Sequence, residues 1–574
     1  MANEFDLVIR GGTLADGLGG ELRDADVAVR GGKIAAVGKV SGSGREEIDA
    51  RGRVVTPGFV DIHTHYDGQA TWDSRLQPSS WHGVTTVVMG NCGVGFAPVR
   101  TSDHNRLIEL MEGVEDIPGA ALHEGLSWNW ESFGDYLDAL ETKPHDVDVC
   151  AQLPHGALRV YVMGERGAKL EAANESDIAQ MRALTAEAMR AGALGFTTSR
   201  TMNHRTVTGD PTPSLRATHE ELLGIAKGMK DAGRGVFELI SDFDNPDPVT
   251  EFGMIRKLVE ESGCALSLSL AQAGSSPDGW RGLLAMIEQA SRDGLSIRAQ
   301  VAPRPIGILL GLQGTLNPFS AHETFAQIKD KSLADKVRIM HDPAFKARMM
   351  AETGARQTHP LARRVMAFQH IFPLGDPPNY EPPKDTAVAA TAERQGRSAQ
   401  ELAYDMLLED GGKAFLFMPF ANYANYNLDV CGEMIAHKDC VMGLGDGGAH
   451  VGIISDGSYP TYLLTHWGRD RAHGRFDLGY LVKRQTADTA RAVGLLDRGI
   501  VAPGMKADLN VIDFANLRVE APKMAFDLPA GGKRLLQGAS GYDATIVSGE
   551  ITYRHGEATK ALPGKLVRGP QAAP

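Results

Sequence analysis

The sequence predicts an α/β fold: a (β/α)8 TIM barrel with a composite β-sandwich drawn from both termini and a helical insertion near the barrel mouth. Three observations carry that expectation. Apolar strand-like runs alternate with amphipathic helical stretches through the middle of the chain. Both ends are rich in short strands separated by glycine turns, and no Ser/Pro/Gly-rich linker divides the 574 residues into independent units.

At the start, DLVIRGGTL, DADVAVRGGKIAAVG and EEIDARGRVVTPG show β-branched alternation followed by Gly-Gly or Pro-Gly, and the tail repeats the pattern in KADLNVIDF and ATIVSGEITYRHGE. Each half alone would leave a sheet face unburied, so residues 1–57 and 499–565 are expected to close into one β-sandwich. Between them, residues 58–498 read as the barrel. Its strand candidates are FVDIHTH, TTVVMGN, DVCAQLP, ALGFTTS, GVFELIS, ALSLSLA, LSIRAQVAP and CVMGLGDG; its helix candidates include ESDIAQMRALTAEAMRAG, THEELLGIAKGMKDAG and GLLAMIEQASRDG. Residues 307–410 contain helices such as SLADKVRIM and PAFKARMMAETGAR but no obvious barrel strand, and read as an insertion after strand seven.

Composition narrows the function. The chain is 43% hydrophobic and 23% charged, as a globular protein is, with 59 Lys+Arg against 72 Asp+Glu for a net charge of −13. No dense basic block is present, so nucleic acid is not expected as a partner. No apolar run approaches membrane-spanning length and the N-terminus carries acidic residues, so neither a membrane nor a signal peptide is expected, and the location expected is cytoplasmic. Five scattered cysteines argue against a disulfide framework.

GFVDIHTHYD is the sharpest chemical signal. His63 and His65 stand two apart on a predicted strand, so both imidazoles leave the same face and can converge on one ion; Asp61 shares that face. Asp446 ends the last predicted strand in VMGLGDGGAH, where a barrel carries its chemistry, and suits the acid–base work of accepting a proton from an activated water. Cys92 follows strand two in VVMGNCGVGFAP. A lone cysteine in an apolar segment is usually a buried filler, but flanking glycines keep the sulfur accessible, and a thiolate beside two imidazoles makes a sound zinc set.

Taken together, HxH, a cysteine in GNCG, GALGF and the terminal GDG resemble the amidohydrolase superfamily, and within it the N-acyl-D-amino-acid deacylase (D-aminoacylase) branch. The likeness spans nearly the whole chain and includes LPHGALR, ATHEEL, PAFKARMM and the tail YDATIVSGEITYRHGEATKALPGKLVRG. It implies a TIM barrel with a composite β-sandwich, and a cysteine in the bridging position that a carbamylated lysine fills in relatives. The branch usually offers histidines after strands five and six; here the corresponding GVFELISDF and ALSLSLAQAG contain none. Glu238 is the nearest ligand type on strand five, and Leu270 stands where the strand-six imidazole would be. The expected site is therefore mononuclear, one zinc ion rather than two, held by His63, His65, Cys92 and either Glu238 or Asp446.

Four further residues are candidates for binding substrate. His155 in LPHGALR and His450 in GDGGAH could hydrogen-bond an oxyanion, or hold Asp446. Arg200 in TTSRT and Arg304 in APRPIG could clamp a carboxylate with a planar fork. The apolar runs IGILLGL and FLFMPF could line a pocket, although core packing is their commoner use. The expected activity is metal-dependent hydrolysis of an amide-type C–N bond in a small molecule. The alternatives are another amide, carbamate, cyclic amide or ester, or a catalytically silent, metal-poor binding protein. A homo-oligomer is left open.

Overall fold

The computed structural model describes residues 4–243, 247–352 and 364–574. Parallel strands form the centre. β1 (Phe59–Asp61), β2 (Val84–Met89) and β3 (Asp148–Ala151, continued by Leu153–Pro154) pair in that order. The continuation of β3 leads on to β4 (Gly195–Arg200), β5 (Val236–Ser241), β6 (Ala265–Ser269), β7 (Ile297–Val301) and β8 (Cys440–Met442). Beyond the strand ends, a parallel bridge between Thr64 and Gly447 sets the β1 and β8 segments side by side. Each of these strands falls in an expected apolar run to within one residue. β2 is buried at every position, as a parallel strand covered on both faces must be.

The intervening helices carry their own start and stop signals. Glu175–Ala191 opens on a reciprocal capping box between Asn174 and Asp177. His219–Ala232 is capped by Thr218 and ends at Gly233 in the left-handed conformation.

The chain ends meet edge to edge in one nine-stranded sheet. Val54–Pro57 is the seam: it runs parallel to Phe5–Leu14 and antiparallel to Leu509–Ile512. Ile9, Val27 and Val55 from the first part share a core with Val511 and Ile546 from the last.

The described part of the insertion carries helices, among them Leu333–Met340 and Pro343–Ala351, and a small sheet. Antiparallel strands Ile306–Leu310, Phe372–Pro373 and Leu416–Ala421 frame it, so its sheet closes only beyond residue 410. The runs IGILLGL and FLFMPF are these strands, paired with each other, and Leu310, Phe319, Phe345, Tyr404 and Leu416 form a core separate from that of the parallel strands. Packing, not a pocket lining, accounts for their apolar character. Of PAFKARMMAETGAR, the helix Pro343–Ala351 is present, and the end of the run from residue 353 lies outside the described residues. No helix among the described residues is long and apolar enough to cross a membrane, and the five cysteines are unpaired.

One buried ion cluster ties the terminal sheet to the parallel strands. Arg498 donates to Asp148 Oδ2 at 2.6 Å and to Thr86 Oγ1 at 2.9 Å, and Lys506 Nζ lies 3.1 Å from the same Asp148 oxygen. Burial alone would raise Asp148, but Lys506 and Arg498 hold it below the usual carboxylate range. Replacing Arg498 with Met keeps the stem and removes the charge. The loss expected is about 3–5 kcal/mol of unfolding free energy, read as a lower denaturant midpoint; an unchanged midpoint would mean that the cluster is not part of what joins the two regions.

Candidate metal centre and active site

The site forms where the β1 and β8 segments run together. His65 N donates to Gly447 O at 2.8 Å and Asp446 N donates to His63 O at 2.9 Å, so backbone bonds set the HxH segment against the GDG turn. Asp446 adopts φ 47°, a left-handed conformation that aspartate tolerates better than most residues. The glycine after it is required by space: a Cβ on Gly447 would stand 2.4 Å from Ser79 Oγ.

Oδ1 of Asp446 lies 3.3 Å from His63 Nε2 and 3.4 Å from His65 Nε2. Cys92 Sγ lies 3.5 Å from His63 Nε2. Both imidazoles are 1% exposed. Among the described residues, His63, His65 and Cys92 form a set whose donor atoms all lie within 4.8 Å of one another; Asp446 approaches both imidazoles from outside that set. His63 Nδ1 is 2.7 Å from Gln300 Oε1, and Gln300 Nε2 donates to Ser267 Oγ at 3.0 Å. With the amide oxygen accepting, the His63 proton sits on Nδ1 and the Nε2 lone pair is left for an ion.

The GNCG turn is held from three sides. Asn91 Nδ2 donates to Thr64 O at 3.0 Å, which fixes the turn to the HxH segment. Thr197 of β4 accepts from Gly93 N at 3.0 Å and donates to Gly90 O. Glu238 Oε2 on β5 accepts from Cys92 N at 3.2 Å, while Glu238 Oε1 is buried without a partner. Asp61 shares that condition: Oδ1 accepts from His63 N at 3.1 Å and Oδ2 is buried and unpartnered.

The electrostatics call for a cation. Burial raises Asp61 to about 7 and Glu238 to about 7, and carries Glu115 well above the usual range. Burial also pushes the Cys92 thiol up, helped by the charges of Glu238, Glu115 and Asp446. Burial lowers His65 to about 4. Asp446 is the exception: burial would raise it, yet the contact with His65 and the charges of His63, His65 and His450 keep it well below the usual range. A divalent ion would offset the surplus acid and stabilise the thiolate together. The donor set is of a size to hold one. Tetrahedral zinc with bonds of about 2.0–2.3 Å needs ligand atoms about 3.3–3.7 Å apart; within the set, His63 Nε2 to Cys92 Sγ at 3.5 Å falls in that range and all donor atoms stay within 4.8 Å.

The four residues expected to bind substrate have partners inside the protein. His155 is completely buried, with Nδ1 2.8 Å from Thr198 Oγ1 and Nε2 2.9 Å from Glu221 Oε1, so both ring nitrogens are engaged away from any ligand. Arg200 grips Glu251 with Nε at 2.6 Å and Nη2 at 3.1 Å. Arg304 donates through Nη2 to Ser455 O at 2.7 Å and Ser458 Oγ at 2.9 Å, lies 3.2 Å from Asp456 Oδ1 and stacks on Tyr380. Neither guanidinium is a free clamp. His450 does stand at the site, with Nε2 3.5 Å from Glu115 Oε2.

Three residues here escape the sequence reading. Gln300 could have been found, since a lone amide near the end of the apolar run LSIRAQVAP faces the same centre as HxH. Glu115 ends the helix His104–Glu115, which reads as ordinary amphipathic sequence. His204 sits in the polar loop after β4, with Nδ1 3.0 Å from Ser199 Oγ; burial lowers it to about 3, and the charges of His450 and His65 add to the effect.

Comparison with known proteins identifies the family. The model of the amidohydrolase family matches residues 46–553. The chain belongs to the amidohydrolase family. Within it the resemblance is to the D-aminoacylase branch. A D-aminoacylase of Alcaligenes xylosoxydans xylosoxydans is 37% identical over 230 residues, 40% of this chain and 43% of that one. An N-acyl-D-aspartate deacylase of the same organism is 40% identical over 255 residues, 44% and 47% of the two chains. The matches thus span less than half the length of these relatives. A solved D-aminoacylase structure with a binuclear metal centre superposes with a TM-score of 0.66 at 25% identity, covering 98% of this chain and 100% of that one. An N-acyl-D-glutamate deacylase of Bordetella bronchiseptica, solved with zinc and a phosphonate inhibitor, shares the fold at a TM-score of 0.65 and 23% identity, covering 99% and 100% of the two chains.

The turn that carries Cys92 gives a test in this amidohydrolase. Gly93 has φ +70°, and a Cβ there would stand 2.9 Å from Ser199 N and 3.0 Å from Thr198 Cα. Gly93→Ala is expected to lose about 1–3 kcal/mol and to weaken zinc binding by shifting the sulfur, measured by denaturation and by competition with a chromophoric chelator. Unchanged zinc affinity would detach the turn from the metal centre.

Proposed function

We propose that this protein is a metal-dependent hydrolase of a non-peptide C–N bond, D-aminoacylase-like, acting on a small molecule at the centre formed by His63, His65, Cys92 and Asp446. The observation that carries the reading is Asp446 Oδ1 within 3.4 Å of both imidazole Nε2 atoms, one of them 3.5 Å from a buried thiol. In that reading the barrel is an eight-stranded (β/α)8 body over residues 58–498, with residues 1–57 and 499–565 as its composite sandwich and the insertion beginning at 307.

His63, His65 and Cys92 would hold one zinc ion, with Glu238 available through the oxygen that has no other partner. Zinc held there would supply Lewis acidity toward a carbonyl oxygen and would acidify water. Gln300 keeps His63 in the tautomer that binds a metal. Asp446 stays ionised, takes a proton from the attacking water and returns it to the departing nitrogen. The buried walls exclude bulk water, which strengthens each of these interactions.

A second reading rests on two observations. Strand five brings a carboxylate, Glu238, to the turn where the branch usually brings an imidazole, and both candidate guanidinium clamps are paired internally. An altered ligand set without a free carboxylate clamp favours a substrate other than an N-acyl-D-amino acid: another amide, a carbamate, a cyclic amide or an ester.

Asp446→Asn is expected to lower turnover by about 10²–10⁴-fold while zinc, counted by elemental analysis, stays bound. The zinc-loaded enzyme assayed on N-acyl-D-amino acids, aryl amides, carbamates, cyclic amides and esters chooses between the two readings. An Asp446→Asn variant that retains full activity would remove the assignment.

A further inference from the structure

Glu115 has no role in the reading above, yet it is 1% exposed and lies between two histidines of the site. Its Oε1 is 3.3 Å from His65 Nδ1 and its Oε2 is 3.5 Å from His450 Nε2. Neither oxygen makes a hydrogen bond, and neither nitrogen of His65 does. A carboxyl group kept in a protein interior without partners is costly, so the fold must hold it there for the sake of something else. The local backbone is built for this placement: the helix ends at Glu115 because Asp116 turns left-handed at φ 52°, and the freed Glu115 carbonyl accepts from His450 N.

Resting on the metal reading of the site, we infer that Glu115 is a positioning residue that orients His65 for the ion and couples that imidazole to the His450 loop. A carboxyl oxygen 3.3 Å from Nδ1 favours the proton on that nitrogen, so Nε2 presents its lone pair on the side where His63 Nε2, Cys92 and Asp446 converge. Glu115 thus faces the same ring nitrogen of His65 that Gln300 faces in His63, at 3.3 Å and without the hydrogen bond that Gln300 makes at 2.7 Å. Its second oxygen reaches the loop that carries Asp446, so ligand orientation and the placement of the acid–base group share one side chain.

The test uses the full chain, with zinc as the probe. Glu115→Leu fills the same space without a polar group, and Glu115→Asp keeps the carboxyl but withdraws its oxygens by one methylene. Both are expected to bind zinc about 10–100-fold more weakly in chelator competition, while the metal-free Glu115→Leu protein unfolds at the same denaturant concentration as the unsubstituted one, or higher. A residue that merely packs would give the reverse pattern, unchanged affinity with a less stable metal-free protein, and that result overturns the inference. Zinc binding equal to that of the unsubstituted chain in either folded variant overturns it as well. If the unsubstituted chain takes up no zinc, the metal reading itself falls, and the role given to Glu115 falls with it.

Discussion

The pairing of the HxH segment with the GDG turn is the interaction on which the rest depends. Two backbone hydrogen bonds, from His65 to Gly447 and from Asp446 to His63, join the first and last parallel strands just beyond their ends. They also fix the carboxylate against both imidazoles. Without that register the histidines would be two buried bases and the aspartate an isolated acid, each unfavourable away from water. A contact between residues so distant in sequence forms only when every strand between them takes its place, so the site is assembled by completing the fold.

The same logic explains why the surrounding polar groups are arranged in layers. Asn91 ties the cysteine turn to Thr64, Thr197 cradles that turn from β4, Glu238 receives the Cys92 amide from β5, and Gln300 orients His63 from β7. These polar groups come from four separate places along the chain and converge on one centre. Burial favours the neutral form of the carboxyl groups around that centre, and a positive charge placed there would favour the ionised form. The neighbours of His63, His65 and Cys92 thus suit a cation as those three side chains do.

Legibility in the sequence followed locality. HxH, GNCG and GDG were readable because each packs its chemistry and its backbone requirement into a few consecutive residues, and the eight parallel strands because a fully buried strand must be an apolar run. Glu115 was not, because nothing around it in IELMEGVED distinguishes a carboxylate aimed at an imidazole from one in water. Arg200 and Arg304 misled for the converse reason: a guanidinium at a strand end looks like a substrate clamp until its partner, Glu251 or Asp456, is brought in from elsewhere in the chain. The small sheet of the insertion was not legible, since IGILLGL and FLFMPF lie far apart and reveal a sheet only when they meet.

The terminal sheet bears on the site more than its distance suggests. Its seam strand, Val54–Pro57, continues almost directly into β1, with only Gly58 between them, and Gly58 N donates to Asp508 O at 2.8 Å. The β1 strand that carries HxH is therefore anchored at one end by a sheet that needs both chain termini and at the other by the GDG turn. Asp508 also belongs to the buried cluster with Lys506, beside Arg498 and Asp148, so the residue whose carbonyl accepts from Gly58 is itself held by charge pairing. Cores are close-packed and transmit displacement, so a shift in that cluster would reach His63 and His65 along a short, fully buried strand.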